Sequence, residues 1–187
     1  PVMQISCRDR NKIALQSDIL GANALGIKNI LCITGDSVKA GDQQNTKAVH
    51  EYESVKLLKQ IQLFNNGIDP TSEFLSDNKT EIFAGAAADP SYKNLKILKR
   101  RTEQKKEAGA RFIQTQMIMD KKYLIDFCNE ISNPLNLPVL AGVFLLKSYK
   151  NALFINKFVP GANIPDHILN RLKESDNPIE EGINIAA

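Results

Sequence analysis

Residues 107–116 read EAGARFIQTQ and contain the pattern that decides the fold. A helical stretch ends near Ala108, Gly109 follows it, and an apolar run begins at Phe112. Glycine adopts a positive φ at little cost, so it commonly ends a helix just before the chain turns. The same order occurs at Gly26, which lies between a helical stretch and the apolar run that begins at Ile30. This repetition predicts consecutive βα units.

Five short apolar runs recur along the chain and are predicted to be strands. Each is composed almost entirely of apolar residues, many of them β-branched or small, which is typical of parallel strands buried on both faces. They lie at 2–6, 30–33, 82–86, 112–115 and 139–143. The amphipathic stretches between them predict helices at about 11–25, 53–66, 95–108, 121–131 and 148–158, with further helix near 165–174.

Strands and helices in this alternation form either an open doubly wound sheet or a closed barrel. The open sheet often carries a GxGxxG motif after a strand, and this sequence has none. Polar residues instead follow the strands, which is where the sites of (βα)8 barrels lie. We therefore predict an α/β fold of the (βα)8 TIM-barrel class in one domain, residues 1–187. Five strands leave that barrel about three short, so we expect it to be incomplete, with about strands 3–7 as parallel neighbours in chain order.

Composition and charge exclude several classes of protein. The net charge of +3 is too small to demand a nucleic-acid or membrane partner, and no apolar run approaches the roughly 20 residues of a membrane helix. Cys7, Cys32 and Cys128 are far apart without a CxxC pair, which argues against disulfides and zinc and fits a reducing compartment. With only His50 and His167, a multi-histidine metal site is hard to build. We expect a cytoplasmic protein without a metal.

Candidate site residues follow the first two predicted strands. Gly35 in Thr34-Gly35-Asp36 allows a ligand to approach the backbone, and Asp36 fixes a negative charge; the alternative is an Asx turn at a strand end. Within residues 8–11, RDRN, the arginines could meet phosphate, whereas the aspartate or asparagine could simply cap the next helix. Two long loops also stand out: 37–52 on the site side of the barrel and 66–81 on the opposite side.

Two further candidates lie later in the chain. Alternation along a strand sends Gln114 and Gln116 to the same side, where a glutamine could hydrogen-bond a heterocyclic ligand or belong to a satisfied polar layer. The helical stretch from Lys93 to Lys106 is strongly basic and has Glu103 as its single acid. It is either a solvated face or a contact for an anion such as a cofactor pyrophosphate. Its cations are Lys93, Lys96, Lys99, Arg100, Arg101, Lys105 and Lys106.

Five segments, taken in order, resemble the methylenetetrahydrofolate reductase family. They are QISCRDRN at 4–11, LCITGD at 31–36, EAGARFIQTQ at 107–116, PVLAGV at 138–143 and VPGANIP at 159–165. The resemblance implies a (βα)8 barrel with a non-covalent flavin, usually FAD with FMN as the alternative. It also implies reduction of 5,10-methylenetetrahydrofolate to 5-methyltetrahydrofolate, with hydride passing from NAD(P)H or another donor through the flavin.

The resemblance also implies roles for individual residues. Asp36 matches the family's catalytic acidic residue beside the flavin pyrimidine edge, where a carboxylate can stabilise the cationic iminium form of the folate. Gln116 matches a glutamine that holds the pterin, and Tyr149 an aromatic position that contacts folate or nicotinamide. The expected flavin-binding residues are Gln4, Thr34, Gly35, Asp36, His50, Ala87, Arg101 and Lys105.

The sequence departs from the family pattern at four positions. Gln4 stands where many members have histidine, Gln104 where arginine is common, Lys106 where an apolar residue is usual, and Leu145 in place of a proline. The resemblance further places the family's general acid, a glutamate, upstream of Pro1, and a substrate-contacting arginine downstream of Ala187.

Three alternatives to a free-standing reductase remain at this stage. The chain could be the reductase module of a bifunctional homocysteine methyltransferase, or a subunit of a larger reductase complex with a zinc- or iron–sulfur-containing partner. From another class, it could be a non-catalytic basic module that binds nucleic acid, although no aromatic stacking residues interrupt its basic helix. We expect a folate substrate, no nucleic-acid or membrane partner, and either a homo-oligomer or a larger reductase complex.

Overall fold

The computed structural model describes residues 1–69, 71, 79–159 and 161–187. Half of the second long loop, including Asp77 and Asn78, and Pro160 therefore lie outside the described residues. Five strands form one sheet: β1 (Met3–Ser6), β2 (Asn29–Ile33), β3 (Phe83–Ala88), β4 (Phe112–Met117) and β5 (Val139–Gly142). The helices are α1 (Lys12–Ala24), α2 (Ser54–Asn65), α3 (Leu95–Glu107), α4 (Lys121–Phe127), α5 (Tyr149–Phe158), α6 (Asp166–Glu174) and α7 (Pro178–Ala186).

The strands are all parallel and lie in the sheet in chain order, β1-β2-β3-β4-β5. A doubly wound sheet reverses its strand order at a switch point, and this sheet does not. The predicted fold class and the predicted strand order are both confirmed. Among the described residues, the helical connections place every strand beside its predecessor, as in a barrel wall.

Several element bounds differ from those predicted, for local reasons. β3 begins at Phe83 rather than Ile82, because Asn65 clamps Ile82: its Oδ1 accepts from the Ile82 N–H at 2.9 Å and its Nδ2 donates to the Ile82 carbonyl at 2.8 Å. The predicted helix 121–131 is interrupted after Phe127 by a π-helical turn, Cys128–Ser132. The helix ends at Gly26 and Gly109 are as predicted, with φ of 79° and 108°.

The two faces of the sheet have different roles. On the outer face, Ile5, Cys32, Ala86 and Ile113 are buried against apolar residues of α1, α2 and the π-helical turn, which form the main core. The residues that alternate with them point to the inner face, where the strand register pairs Gln4 with Leu31 and Ala87 with Gln114. The polar side chains of the strands therefore collect on the inner face.

Aromatic rings fill the inner face near the amino ends of the strands. The Phe112 ring occupies the space that a Cβ at position 85 would need, so this position requires Gly85. Phe112 also stacks on Phe83, with ring centroids 5.7 Å apart, and the Arg111 guanidinium lies 5.0 Å from the Phe83 centroid. The carboxyl ends of the strands are left for a site.

A second apolar cluster follows β5. Ala152 and Ile155 of α5 pack against Ile168 and Leu172 of α6, with Leu146 buried between these helices and α7. In the described part of the chain, no helix has the length and apolar character needed to cross a membrane.

Candidate functional site

A cavity of about 630 Å³ opens at the carboxyl ends of β1 to β4. Its size lies within the usual range for small-molecule and cofactor sites, roughly 300–1,000 Å³. Eight of the ten residues predicted to bind cofactor or substrate line it, from three strands, the segment after β2 and one helix. They are Gln4, Thr34, Gly35, Asp36, Ala87, Arg101, Lys105 and Gln116. The strand ends bring together residues up to 112 positions apart, as a barrel mouth does.

Gly35 crosses the end of β1 at very close range. Its φ is +92°, and an added Cβ would collide with the Ser6 hydroxyl and lie 2.7 Å from Arg8 Cβ. Both the backbone conformation and the close approach therefore require glycine. The crossing also holds Asp36 at the cavity wall, where its carbonyl accepts from Arg8 Nη1 at 3.5 Å.

The residues after β1 make structural contacts, and one of them also lines the cavity. Arg8 lines the cavity, but its guanidinium also pairs with Asp9 through Nε at 2.7 Å and Nη2 at 2.9 Å. Arg10 pairs with Asp18 at 2.6 Å, and Asn11 caps α1 by accepting from the Ala14 N–H at 2.9 Å. The helix-capping role predicted as the alternative for this segment is therefore observed at Asn11, and Arg10 is engaged in an ion pair.

Thr34 links β2 to the helix that follows the first long loop. Its Oγ1 accepts from the Ser54 N–H at 3.1 Å and donates to Ser54 Oγ at 3.3 Å. The N-cap residue of α2, Glu53, makes no side-chain cap hydrogen bond. The hydroxyl of Thr34, 20 residues before Ser54, instead accepts from a free N–H at the start of the helix. Thr34 thus anchors α2 while it also lines the cavity.

Two cations of α3 form one wall of the cavity. Lys105 Nζ donates to the Ala87 carbonyl at 2.7 Å, and burial lowers the pKa of Lys105, with a smaller contribution from the charge of Arg101. Arg101 lies over the Tyr92 ring at 5.1 Å. Among the described residues, neither cation forms an ion pair. Unneutralised cations in a cavity wall suit an anionic ligand.

The same two cations border a second cavity of about 640 Å³ between α2 and α3. It shares Thr34 and Ser54 with the first cavity as well. The two cavities therefore adjoin across the cationic wall.

Two predicted site residues lie outside the lining of the main cavity. His50 is exposed, has a φ of 43°, and donates its N–H to the Arg8 carbonyl at 3.4 Å, so it lies on a loop against the end of β1. Tyr149 begins α5 and packs against the second cluster, with Lys173 Nζ 5.9 Å from its ring centroid. The cofactor role of His50 and the substrate role of Tyr149 stay predictions.

Sequence reasoning missed Ser54 and Tyr92, which also line the cavity. Ser54 is the first residue of a helix whose start was predicted to within one residue, so its position at a strand-facing helix end was the available signal. Tyr92 precedes the basic helix, and no local pattern indicates that Arg101 folds back over its ring.

The fold and the cavity define a parallel α/β protein of the barrel class, with a ligand-sized, partly cationic site at the carboxyl ends of its strands. A family profile, that of methylenetetrahydrofolate reductase, matches residues 1–187. The chain belongs to this family.

Individual relatives agree with the family assignment. The chain is 25% identical to a probable methylenetetrahydrofolate reductase (NADPH) of Caenorhabditis elegans, over 96% of the chain and 26% of that protein. It is 25% identical to methylenetetrahydrofolate reductase 1 of Schizosaccharomyces pombe, over 96% of the chain and 28% of that protein. The chain thus spans about a quarter of the length of these curated relatives.

One solved structure is also similar. A protein from Clostridium thermocellum, described as binding two copies of 5-methyl-5,6,7,8-tetrahydrofolic acid, aligns with 99% of the chain and 79% of its own. The TM-score is 0.48 and the sequence identity is 12%.

Proposed function

We propose that this chain supplies the flavin-binding part of an enzyme that reduces 5,10-methylenetetrahydrofolate to 5-methyltetrahydrofolate, with NAD(P)H as the electron donor. The observation that carries the proposal is the cavity at the strand ends, which combines the unneutralised Lys105 and Arg101 with small residues at 35 and 87. A flavin nucleotide has a flat ring system and a phosphate portion, and both kinds of surface are present.

The residues of the cavity fit a bound flavin in separable ways. Lys105 and Arg101 would bind its phosphates, and Gly35 and Ala87 leave room for the ring beside the backbone. The adjoining cavity beyond the same two cations supports FAD over FMN, because a dinucleotide needs space on both sides of its phosphates. When bound, the flavin would accept hydride from the donor and pass it to the folate.

Asp36 and Gln116 would act on the folate. The Asp36 carboxylate would stabilise the positive charge of the iminium form of the substrate, which accepts hydride, because a fixed negative charge at the cavity wall favours a developing cation. Gln116 would orient the pterin through its amide, which can both donate and accept hydrogen bonds.

The domain, location and partners of the protein are part of the same proposal. Residues 1–187 would form one (βα)-barrel domain that is closed by further βα units, because the outer edges of β1 and β5 are unpaired within the described residues. A cytoplasmic location would fit three cysteines that are all free thiols. Assembly would be as a homo-oligomer or within a larger reductase complex.

An absorbance spectrum of the purified protein tests the proposal directly. The two visible bands of an oxidised flavin should be present or should appear after reconstitution, and chromatography of the released cofactor would identify FAD or FMN. In the complete enzyme, donor oxidation should then depend on methylenetetrahydrofolate. A protein that binds neither flavin would refute the proposal.

A further inference from the structure

Strand β4 contains a β-bulge at the rim of the cavity. Gln114 pairs with Leu140 and Met117 pairs with Gly142, so three steps along β4 match two steps along β5. One extra residue is therefore inserted in β4 between these pairs. Bulges bend a strand and redirect its side chains, and they are frequent beside active sites.

The hydroxyl of Thr115 replaces the hydrogen bond that the bulge removes. Thr115 is buried, its Oγ1 accepts from the Gly142 N–H at 2.8 Å, and the same hydroxyl donates to the Gln116 carbonyl at 2.7 Å. One side chain thus connects β5 to the peptide group of Gln116. Without it, the Gly142 N–H would lose its partner in the part-buried interface between the two strands.

The surroundings leave the bulge little freedom. A Cβ at Gly142 would lie 2.8 Å from the Thr115 carbonyl oxygen and 2.9 Å from that of Gln116, so β5 approaches β4 closely only because residue 142 is glycine. The Gln116 Oε1 accepts from the Met117 N–H at 2.9 Å, and a Cβ at Gly161 would lie 3.3 Å from Gln116 Nε2. The Gln116 side chain is consequently held between its own strand and Gly161.

We propose that Thr115 is a positioning residue: its hydroxyl fixes the bulge and thereby sets the direction in which Gln116 meets the substrate. The inference rests on the proposed function, because it assigns Gln116 to the folate. Thr115 itself acts through the backbone at 116 and 142 rather than through the flavin wall formed by α3.

Two variants of the protein separate the hydroxyl from the shape of the side chain. Thr115→Val keeps the branched shape and removes the hydroxyl, whereas Thr115→Ser keeps the hydroxyl. Thr80→Val is the matched control: Thr80 is also buried, and its hydroxyl donates to Asn65 Oδ1 at 2.6 Å, outside the cavity lining.

The expected result is a change in folate kinetics alone. Thr115→Val should raise the KM for methylenetetrahydrofolate roughly 10- to 100-fold, the range for a misplaced substrate contact, while flavin affinity and donor-driven flavin reduction stay at wild-type levels. Thr115→Ser and Thr80→Val should keep the wild-type KM. Hydrogen exchange at the Gly142 amide should accelerate in Thr115→Val only.

Each contrary outcome has a distinct meaning. Faster exchange at Gly142 with an unchanged folate KM would overturn the positioning role and leave the proposed function intact. Unchanged exchange at the Gly142 amide in Thr115→Val would overturn the premise that the Thr115 hydroxyl fixes the bulge. Equal increases in the folate KM in Thr115→Val and Thr80→Val would mean that Thr115 contributes only to stability. A complete wild-type enzyme without folate-dependent turnover would instead overturn the proposed function, and Gly142 exchange would still decide whether the hydroxyl fixes the bulge.

Discussion

Replacing Lys105 by methionine tests the cationic wall of the cavity. Methionine keeps the unbranched side chain but removes the charge and the hydrogen bond to the Ala87 carbonyl. The hydrogen bond that the charged Lys105 would donate to a flavin phosphate should contribute about 1.5–3 kcal/mol, as hydrogen bonds to charged groups do. Since about 1.4 kcal/mol corresponds to tenfold in affinity, the Kd for flavin should rise roughly 10- to 140-fold.

Titration of the apo-protein with FAD, followed by quenching of flavin fluorescence, measures this effect. Lys106→Met is the matched control, because Lys106 is the neighbouring lysine of α3, is exposed, and donates to the Leu135 carbonyl rather than lining the cavity. Its Kd should equal that of the wild type. An unchanged Kd in Lys105→Met, or equal increases in both variants, would refute the assignment of Lys105 to the flavin phosphates.

The pH dependence gives a second measure of the same residue. Burial lowers the folded-state pKa of Lys105 below the ordinary 10.5, so the folded protein loses this proton at a lower pH than the unfolded chain. The unfolded chain then binds more protons, and the free energy of unfolding of the apo-protein should rise with pH between the lowered pKa and 10.5. Lys105→Met should remove this rise in chemical denaturation series, whereas Lys106→Met should retain it.

Three further predictions concern other residues of the fold and the site. Asp36→Asn should raise the activation free energy of the folate half-reaction by about 2–4 kcal/mol and leave flavin reduction unchanged. Stopped-flow measurement of the two half-reactions tests this, and equal slowing of both would mean that Asp36 tunes the flavin. Gly35→Ala should lower the free energy of unfolding by about 1–3 kcal/mol, because the φ of residue 35 is +92° and a Cβ there would collide with Ser6 of β1. An unchanged melting temperature would contradict this. Burial raises the pKa of Cys7 to about 11 and that of Cys32 further still, so alkylation of the native protein at pH 8 should modify Cys128 first. Mass spectrometry of the labelled peptides measures the order, and early labelling of Cys7 or Cys32 would contradict the prediction.

The sequence by itself determined the order and type of the elements that build the sheet. Buried parallel strands are continuous apolar runs, and glycines at 26 and 109 end helices through a positive φ, so both signals are local and readable. Chain-order pairing of parallel strands then follows from the tendency of consecutive strands to lie next to each other. Because the carboxyl ends of such strands converge, the polar residues after them were expected to meet, and Thr34, Asp36 and Gln116 do line one cavity.

The family resemblance added what local patterns could not. The basic helix alone left every cation open to a solvated role, and the resemblance singled out Arg101 and Lys105, which are among the residues that line the cavity. It also named His50 and Tyr149, which do not line it. The position of His50 depends on how a polar loop folds back against β1, for which no periodic signal exists.

Only the tertiary structure decided the contacts that join distant parts of the chain. The Thr34 hydroxyl caps a helix that begins 20 residues later, and the Thr115 hydroxyl closes a bulge through an amide 27 residues away. Both are hydrogen bonds made by threonines whose neighbours in sequence predict nothing more than a strand end. Such contacts satisfy backbone groups that regular ladders leave unpaired, and those groups are identified only when the elements are packed together. The sequence therefore determined where the strands end and which polar residues follow them, and packing decided which other side chains join the cavity and how all of them are held there.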